Sequence, residues 1–565
     1  MKTKELSGAE IVLKCLLEQG VDAIFGYPGG TVLPIYDALY AYRDQIKHHL
    51  VAHEQGAAHA ADGYARSTGR VGVCLATSGP GATNLVTGIA TAYMDSQPVV
   101  AITGNVPTPL LGKDSFQEID ILGVTMPITK HNFIVRNVAD LAETIRRAFG
   151  IARQGRPGPV LVDIPRDVQI ARADYTPAAP AATDPAQYSR FDVSDLEAAR
   201  AMIDAAKRPF IYAGGGVIAA GASAELAAFA KKVDAPVCVS AMGIGGFPAS
   251  DPAFVGMIGM HGSATSNTLV SECDLLIAVG ARFSDRVVSK VDRFAPNAQI
   301  LHIDIDPAEI NKNKKVHYSL VGDVNVLLAA LNVELPTYTH PDWQARAREL
   351  KQKFPLFVPR DNEEKADLLR PQYVLRRLSA LMADQAIFCT EVGQHQMWAC
   401  QNLQIEQSRR LITSGGLGTM GFGLGAAIGA AVANPGTTVF NIAGDGCFRM
   451  NNTELATAVE YDLPVIVCIL NNHVLGMVRQ WQTLFFDKRY SQTSLHTKTT
   501  DFIKLAEAYQ ATAFNVTKPC EVDDAIRQAV ALKKPAVINF EIGEDEKVFP
   551  MVPPGAGIDE YVLDC

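Results

Sequence analysis

The sequence predicts an α/β protein of three consecutive units, each with a parallel sheet flanked by helices. Short apolar strands alternate with helical patterns three times along the chain, and two proline-rich stretches, 173–188 and 336–341, separate the three series. Apolar strands that alternate with helices are typical of parallel sheets covered on both faces. The 565 residues also suit several folding units, since single cores stop growing near roughly 250–300 residues. The expected domain boundaries are 1–185, 190–340 and 370–565.

The elements of each unit follow from local patterns. The first unit opens with a capping box, Ser7-Gly-Ala-Glu10, which predicts a helix that stops at Gly20. Its other predicted helices cover 31–42, 55–68 and 83–95, and its predicted strands cover 23–26, 49–53, 71–77, 99–103 and 159–163. Strands of the second unit are predicted at 209–212, 237–239, 275–279 and 300–305, and those of the third at 386–390, 438–442, 465–470 and 536–540. The order of the strands in each sheet is left open.

Composition excludes several classes of protein. Hydrophobic residues make up 48% and charged residues 20% of the chain, which is the balance of a folded protein and not of a disordered one. The 51 Lys and Arg residues are outnumbered by 60 Asp and Glu residues. The resulting net charge of −9 offers no excess of positive charge to a nucleic-acid backbone, so we expect no nucleic-acid partner.

The sequence also predicts where the protein works. Two uncharged stretches, 71–94 and 414–444, are long enough to span a bilayer, but Gly-Pro-Gly and Asn-Pro-Gly interrupt them, so we predict no membrane span. Ten scattered cysteines without CxxC spacing indicate free thiols in a reducing compartment. The N-terminus lacks the apolar run of a signal peptide, and we expect a cytoplasmic protein.

Polar residues follow two predicted strands of the third unit. Strand 438–442 leads into Gly444-Asp445-Gly446, and after 24 further residues strand 465–470 ends in Asn471-Asn472. Because open parallel sheets bind ligands at the carboxyl ends of their strands, Asp445 and Asn472 are expected to lie close together. Their oxygens suit Mg²⁺, and the flanking glycines let backbone N–H groups approach a diphosphate. A single Asp-Gly pair is more often a plain turn, so the doubled feature carries the prediction.

This spacing resembles the diphosphate-binding motif of thiamine-diphosphate enzymes. The resemblance implies that Mg²⁺ is held by Asp445, Asn472 and the backbone oxygen of Val474. It also implies a carboxylate beside the aminopyrimidine of the cofactor, which promotes the imino form of that ring. Glu54 matches this role, because it follows a predicted strand and precedes several alanines.

Two other interpretations compete for Glu54. The segment from His53 to His59 is similar to the zinc motif HExxH, but Ala57 stands where the second histidine is required, so a zinc site is rejected. A lone glutamate at the start of a surface helix is the simpler alternative. The downstream diphosphate motif favours the role in the cofactor site.

The run Gly416-Leu-Gly418-Thr-Met-Gly421 has the form GxGxxG but precedes a small-residue helix, and Asp445 is already assigned to the metal. We therefore reject a dinucleotide site. In thiamine-diphosphate enzymes the similar segment holds the pyrimidine. The resemblance implies that the Gly418 carbonyl accepts a hydrogen bond from the 4′-amino group and that Met420 lies between the two rings. A core methionine is the alternative for Met420.

Further motifs extend the resemblance to essentially the whole chain. They are, in order, Phe25-Gly-Tyr-Pro-Gly-Gly30, Ala76-Thr-Ser-Gly-Pro-Gly-Ala-Thr-Asn84, Asp114-Ser-Phe-Gln-Glu118, Gly155-Arg-Pro-Gly-Pro159, Gly259-Met-His-Gly262, Gly280-Ala-Arg-Phe-Ser-Asp-Arg286, Gly476-Met-Val-Arg-Gln-Trp-Gln482 and Met551-Val-Pro-Pro-Gly555. Together they resemble the large catalytic subunits of the biosynthetic acetolactate synthase family. The resemblance implies pyrimidine-binding, FAD-binding and diphosphate-binding units, and active sites shared between two chains. The implied assembly is a homodimer or tetramer with a small regulatory subunit.

The resemblance also implies three sets of site residues. Thiamine diphosphate would contact Glu54, Pro80, Asn84, Val392, Gly393, Gln394, His395, Gly418, Met420, Gly444, Asp445, Gly446, Cys447, Asn472, Val474, Gly476 and Met477. FAD, in a non-redox role, would contact Arg156, Gly214, Gly215, Gly216, Ser240, Gly259, Met260, His261, Gly262, Gly280, Ala281, Arg282, Arg286, Asp304 and Asp323. The 2-oxo acid substrates would contact Phe116, Gln117, Arg286, Met477 and Trp481. Ser284, Arg166 and Lys113 depart from the usual family pattern.

The implied activity is carboligation. Pyruvate is decarboxylated, and its two-carbon unit is transferred to a second pyruvate or to 2-oxobutanoate in branched-chain amino-acid biosynthesis. Contact of Trp481 with the alkyl tail of the acceptor predicts a preference for 2-oxobutanoate, since a methylene in such a pocket is worth about 1–3 kcal/mol. The alternatives are an FAD-redox pyruvate oxidase, a catabolic acetolactate synthase, a glyoxylate carboligase (disfavoured because Glu54 is present) and a non-catalytic homologue.

Overall fold

The structure is a computed structural model that describes residues 4–180, 184–189, 191–357, 363, 366–382, 385–495 and 500–564. Three six-stranded sheets follow one another along the chain, and every strand in them pairs with its neighbours in parallel. Helices cover the sheets, so the predicted α/β class is confirmed. No helix in the described ranges has both the length and the apolar character needed to cross a membrane.

The first sheet has the strand order β3-β2-β4-β5-β7-β6, and a separate two-stranded sheet joins β1 to β8. The strands are β1 (Lys4–Ser7), β2 (Ala23–Gly26), β3 (Lys47–Leu50), β4 (Gly72–Ala76), β5 (Val99–Asn105), β6 (His131–Ile134), β7 (Val160–Pro165) and β8 (Arg172–Tyr175). The helices are α1 (Gly8–Glu18), α2 (Leu33–Tyr42), α3 (Glu54–Thr68), α4 (Pro80–Asn84), α5 (Val86–Met94), α6 (Ile121–Thr125), α7 (Leu141–Arg153) and α8 (Arg166–Ile170). The predicted capping box is present, with Ser7 and Glu10 bonded reciprocally at the start of α1.

The second sheet has the order β11-β10-β9-β12-β13-β14. Its strands are β9 (Pro209–Ala213), β10 (Val237–Val239), β11 (Phe254–Met257), β12 (Leu275–Val279), β13 (Gln299–Asp304) and β14 (Tyr318–Val321). The helices around it are α9 (Val193–Ala205), α10 (Gly215–Ala219), α11 (Ser223–Val233), α12 (Ala264–Glu272), α13 (Asp285–Val288), α14 (Val324–Glu334) and α15 (Pro341–Lys353).

The third sheet has the order β16-β15-β17-β18-β20-β19. Its strands are β15 (Ala386–Thr390), β16 (Leu411–Ile412), β17 (Thr438–Gly444), β18 (Val465–Asn471), β19 (Thr512–Val516) and β20 (Ala536–Glu541). Its helices are α16 (Pro371–Met382), α17 (Gln394–Asn402), α18 (Gly423–Ala433), α19 (Asp445–Asn451), α20 (Glu454–Glu460), α21 (Gly476–Phe485), α22 (Phe502–Ala508) and α23 (Val522–Leu532).

Helices α3 and α18 join the first and third units within one chain. A Cβ at Gly63 of α3 would overlap the backbone oxygen of Ala426, and one at Gly429 of α18 would overlap that of Ala60. The two helices therefore touch through their backbones, and their alanines belong to one buried apolar cluster shared by both units. Such close approach requires glycine at the crossing points.

Three sequence expectations need correction. The strand predicted at 49–53 covers Lys47–Leu50 instead, because the N–H groups of Ala52 and His53 bond to the Glu454 carboxylate and not to the neighbouring strand. The helix predicted at 83–95 is divided into α4 and α5, and α4 already begins at Pro80, whose fixed φ suits the first position of a helix. The predicted linker 173–188, part of which lies outside the described residues, starts within β8, which pairs antiparallel with β1.

Candidate active site

The carboxyl ends of β15, β17 and β18 surround a cavity of about 80 Å³ in the third unit. Thirteen of the predicted cofactor-contacting residues line it: Val392, Gly393, Gln394, His395, Met420, Gly444, Asp445, Gly446, Cys447, Asn472, Val474, Gly476 and Met477. Trp398, Leu470, Leu475 and Val478, which were not predicted, complete the wall. Residues up to 86 positions apart in sequence thus share one pocket at the ligand-binding edge of the sheet, because β15, β17 and β18 are adjacent.

Asp445 lies at the start of α19 and is buried. Its Oδ2 atom has no hydrogen-bond partner among the described residues, and burial raises the pKa of this carboxyl to about 6. Asn472 lies beside it, where its Oδ1 accepts a 3.3 Å hydrogen bond from the Val474 N–H and its Nδ2 donates to Gln394 at 3.3 Å. A buried carboxylate oxygen without a partner is costly unless a cation or donor joins it, so the donor set fits a hard divalent ion.

Glycines let the backbone of this pocket approach its polar side chains closely. A Cβ at Gly444 would lie 2.8 Å from His395 Nδ1, and one at Gly476 would overlap the Gln394 side chain. His395 is buried, which lowers its pKa to about 3, and its Nε2 atom has no partner within the described part of the chain. These observations fit the diphosphate of the expected cofactor, which needs backbone approach and polar groups that are still unpaired.

The segment from Gly415 to Gly421 borders the same pocket. Gly418 is exposed with a φ of +70°, and Met420 is half-buried at the cavity wall. Asp95 of the first unit accepts hydrogen bonds from Gly415 N–H at 3.0 Å and Gly416 N–H at 2.7 Å. Glu391, fully buried after β15, accepts one from Gly421 N–H at 2.8 Å. Asp95 and Glu391, which sequence reasoning missed, therefore fix both ends of this segment.

Glu54 lies in a second cluster outside this cavity. It is the first residue of α3, and its Oε2 accepts a 2.9 Å hydrogen bond from Asn84 Nδ2. Pro80 opens the neighbouring α4 and is exposed. The loop that carries Phe116 and Gln117 packs on this region, since a Cβ at Gly79 would lie 2.7 Å from the Gln117 backbone oxygen. Phe116 is 88% exposed, so this half of the site opens toward the outside of the chain.

The residues predicted to contact FAD gather at one edge of the second sheet. Those at or after the carboxyl ends of its strands are Gly214, Gly215, Gly216, Ser240, Gly259, Met260, His261, Gly262, Gly280, Ala281, Arg282, Asp304 and Asp323. Gly214 and Gly216 pass so close to Gly280 that a Cβ on either would clash with its backbone. This edge is where open parallel sheets bind ligands.

Charged residues of this set already have partners within the chain. Arg156 of the first unit pairs with Asp306 at 3.1 Å and Glu309 at 2.7 Å. Arg282 donates to the Met94 carbonyl at 2.9 Å, and Asp323 caps α14. Burial raises the pKa of Asp304 to about 6. A ligand here would therefore meet a surface that is largely preorganised.

The other predicted substrate residues, Arg286, Met477 and Trp481, lie on two helices, α13 and α21. Met477 and Trp481, four residues apart, share a face of α21, and Trp481 packs edge-on against Phe485 at a centroid distance of 5.3 Å. Arg286 is exposed on α13, with its guanidinium 3.9 Å from Met260 Sδ and 3.7 Å from Asp285.

The three residues that depart from the family pattern lie at different places. Ser284 precedes α13 as its N-cap, Arg166 is the first residue of α8, and Lys113 is exposed.

A larger cavity of about 960 Å³ lies between the second and third units, lined by Phe247, Phe254 and Met257 on one side and Lys547 and Phe549 on the other. None of the predicted site residues lines it. Residues 358–362 and 364–365, which follow its wall at Phe357, lie outside the described residues.

Three segments of the chain match families of known proteins. Residues 6–124 match the thiamine pyrophosphate enzyme N-terminal TPP binding domain, 196–331 the central domain, and 391–540 the C-terminal TPP binding domain. The fold and the site thus define a thiamine pyrophosphate enzyme, thiamine pyrophosphate being another name for thiamine diphosphate.

Similar proteins extend over the whole chain. The acetolactate synthase large subunit of Corynebacterium glutamicum is 48% identical over 565 residues, covering 98% of this chain and 89% of the relative. The acetolactate synthase isozyme 2 large subunit of Escherichia coli is 46% identical over 557 residues, covering 99% of both chains. The probable acetolactate synthase large subunit of Methanocaldococcus jannaschii is 48% identical over 572 residues, covering 99% of this chain and 95% of the relative. The chain therefore belongs to the acetolactate synthase large subunit family, which confirms the resemblance drawn from its motifs.

Proposed function

We propose that this protein decarboxylates pyruvate and transfers the two-carbon hydroxyethyl unit to a second 2-oxo acid. Two pyruvates then give 2-acetolactate and carbon dioxide, and pyruvate with 2-oxobutanoate gives 2-aceto-2-hydroxybutanoate. Both products belong to branched-chain amino-acid biosynthesis. The observation that carries the proposal is the pocket around Asp445 and Asn472, in a chain similar over its full length to acetolactate synthase large subunits.

In this proposal Asp445, Asn472 and the Val474 backbone oxygen hold Mg²⁺, and the glycine-lined wall of the pocket holds the diphosphate. The bound cofactor supplies the electron sink that allows carbon dioxide to leave. Glu54, oriented by Asn84, holds a proton at the pyrimidine ring. Glu54 is not among the residues that line this pocket of its own chain, which supports active sites shared by two chains of a homodimer or tetramer.

The acceptor acid is bound by the remaining predicted residues. Arg286 pairs with its carboxylate, Trp481 contacts its alkyl tail, and Phe116 and Gln117 line the reaction cavity. The C-terminal segment keeps water out, and its contact with Met260, whose carbonyl accepts from Val552 N–H at 2.8 Å, supports this role. FAD binds at the edge of the second sheet without a redox role.

The assembly is proposed on similar grounds. The relatives are named as large subunits, which supports a small regulatory partner for this chain. The pyrimidine-binding, FAD-binding and diphosphate-binding units are taken as 1–185, 190–340 and 370–565.

The proposal is tested by following the purified protein with pyruvate by NMR and flavin absorbance. We expect acetolactate and carbon dioxide, formed only when thiamine diphosphate and Mg²⁺ are present, with an unchanged flavin spectrum. Bleaching of the flavin together with acetate or acetyl phosphate would instead identify a pyruvate oxidase.

A further inference from the structure

A buried glutamate of the third unit binds the turn that precedes Glu54. Glu454, the first residue of α20, is fully buried. Its carboxylate accepts hydrogen bonds from His53 N–H at 3.0 Å, Ala52 N–H at 3.2 Å and the Thr457 hydroxyl at 2.7 Å. These backbone donors belong to the two residues directly before Glu54, so Glu454 fixes the path of the chain into α3.

Contacts of Tyr461 and Gly56 also hold this turn against the third unit. The hydroxyl of Tyr461, the residue that follows α20, accepts a hydrogen bond from Leu50 N–H at 2.7 Å, and its ring packs edge-on against His49 at a centroid distance of 4.7 Å. Gly56 lies directly against the Glu454 carboxylate, because a Cβ there would overlap Oε1. The chain from residue 49 to 56 thus packs against the side chains of Glu454 and Tyr461.

The position of Glu54 depends on these contacts with Glu454 and Tyr461. Its carboxylate has one described hydrogen-bond partner, Asn84, so the direction of the side chain is set mainly by the backbone at Ala52 and His53. A glutamine at position 454 has the same volume as glutamate but only one acceptor oxygen. The N–H groups of Ala52 and His53 each donate to a different oxygen of Glu454, so one of them loses its acceptor. Such a mismatch moves the turn or leaves a donor unpaired.

We propose that Glu454 is a positioning residue for Glu54. By binding the backbone of residues 52 and 53, Glu454 sets the position of the catalytic Glu54 carboxylate. The inference rests on the proposed role of Glu54. Since Glu454 and Glu54 belong to one chain, Glu454 acts on the site that its own Glu54 serves. In a dimer with shared sites, this is not the site that contains its own Asp445.

The first test uses Glu454→Gln, with Glu460→Gln as matched control, because Glu460 is the exposed last residue of the same helix. Without cofactor, we expect amide hydrogen exchange of residues 50–56 to rise about tenfold in E454Q and to stay parental in the control. With thiamine diphosphate, exchange of its C2 proton with deuterated solvent and kcat should fall together by about tenfold, while KM for pyruvate stays within about twofold. Parental exchange rates at both the 50–56 amides and C2 would overturn the proposal.

A second variant covers the case in which E454Q does not fold. Thr457→Val removes only the hydroxyl bond to Glu454 and should slow C2 exchange less than E454Q does. No change in C2 exchange in a folded T457V protein would argue against positioning. Failure of the proposed function is distinguishable, because it appears as a parental enzyme that does not accelerate C2 exchange over the free cofactor.

Mixed dimers separate action on Glu54 from action on the diphosphate pocket. A Glu54→Gln chain paired with an Asp445→Asn chain keeps one site with both residues intact. Adding E454Q to the D445N chain, which supplies the working Glu54, should lower the activity of that site about tenfold. Adding E454Q to the E54Q chain should lower the activity several-fold less. A larger loss with E454Q on the E54Q chain than on the D445N chain would mean that Glu454 acts on the diphosphate pocket instead.

Discussion

Asp445 lies buried at the end of β17, with one carboxylate oxygen that has no partner among the described residues. We expect Asp445→Asn to weaken thiamine diphosphate binding in the presence of Mg²⁺ by about two orders of magnitude, or ~2.7 kcal/mol, because the metal loses its charged ligand. The cofactor-free variant should melt no lower than the parent, since burial already disfavours the charge and raises the carboxyl pKa to about 6. Titration calorimetry and thermal melting measure the two effects.

The control for this prediction is Asp462→Asn. Asp462 is an exposed carboxylate that pairs with Lys534 at 3.2 Å on the surface, where ion pairs contribute about 0–1 kcal/mol. Its loss should leave cofactor affinity at the parental value. Equal affinities in the parent and D445N would remove Asp445 from the metal site.

Trp481 provides a prediction about specificity. If its ring contacts the alkyl tail of the acceptor, Trp481→Leu should lower the preference for 2-oxobutanoate over pyruvate about tenfold, within the 1–3 kcal/mol that one methylene is worth. The ratio of the two products, measured with both acceptors competing, is the readout. Phe486→Leu, at an exposed position just after α21, should keep the parental ratio. An unchanged ratio in the Trp481 variant would assign the ring to packing with Phe485 alone.

At the scale of residues, the sequence predicted what is encoded locally. Asp445 and Asn472 are recognisable because each follows a strand within a short glycine or asparagine motif, and the structure brings both to one pocket, although their roles stay predictions. Asp95, Glu391 and Glu454 were missed. Their hydrogen-bond partners lie about 30 to 400 residues away, so nothing in the neighbouring sequence distinguishes them from ordinary acidic residues.

At the scale of elements, the cores of helices and strands were predictable and their ends were not. Strand β3 was expected to run to His53, because its pattern stays extended, but Glu454 takes the N–H groups of Ala52 and His53. Strand β8 was hidden in a proline-rich stretch, and it pairs with β1 at the opposite end of the unit. A tertiary partner therefore decides where the local pattern stops.

The contact between α3 and α18 yields a prediction at the same scale. Gly429→Ala would place a methyl group into the backbone oxygen of Ala60, so we expect the helices to separate and the protein to lose about 1–3 kcal/mol of stability. Acetolactate formation should fall as well, because α3 begins at Glu54 and α18 follows the segment that contains Gly418. Thermal melting and the activity assay test both effects.

The matched control is Gly150→Ala in α7. The nearest atom to a Cβ at Gly150 is Gln154 Nε2 at 3.9 Å, so the methyl group fits. Alanine within a helix is favoured over glycine by about 0.5–1 kcal/mol, and this variant should melt at or above the parental temperature. Comparable losses in both variants would mean that the backbone contact of α18 is not specially tight.

At the scale of the whole molecule, the three units could be predicted from the alternation of apolar strands with helices, and the strand orders could not. Fully buried parallel strands look alike in sequence, so nothing local says that β9 lies between β10 and β12 or that β17 lies between β15 and β18. The sharing of sites between chains came only from the family resemblance. The structure supports it by keeping Glu54 outside the Asp445 pocket of its own chain.

This separation predicts complementation between two inactive variants. A homodimer of Glu54→Gln or of Asp445→Asn chains has the same defect in both of its sites. A dimer with one chain of each kind combines both defects in one site and leaves the other intact. Random pairing makes half of all dimers mixed, so an equal mixture of the two chains should recover about one quarter of parental acetolactate synthesis in a closed two-fold assembly. Dissociating and reassociating the mixed proteins measures this, with each variant reassociated alone as the control. Activity that stays at the level of the single variants, while mass spectrometry detects mixed dimers, would mean that Glu54 and Asp445 serve the same site from one chain.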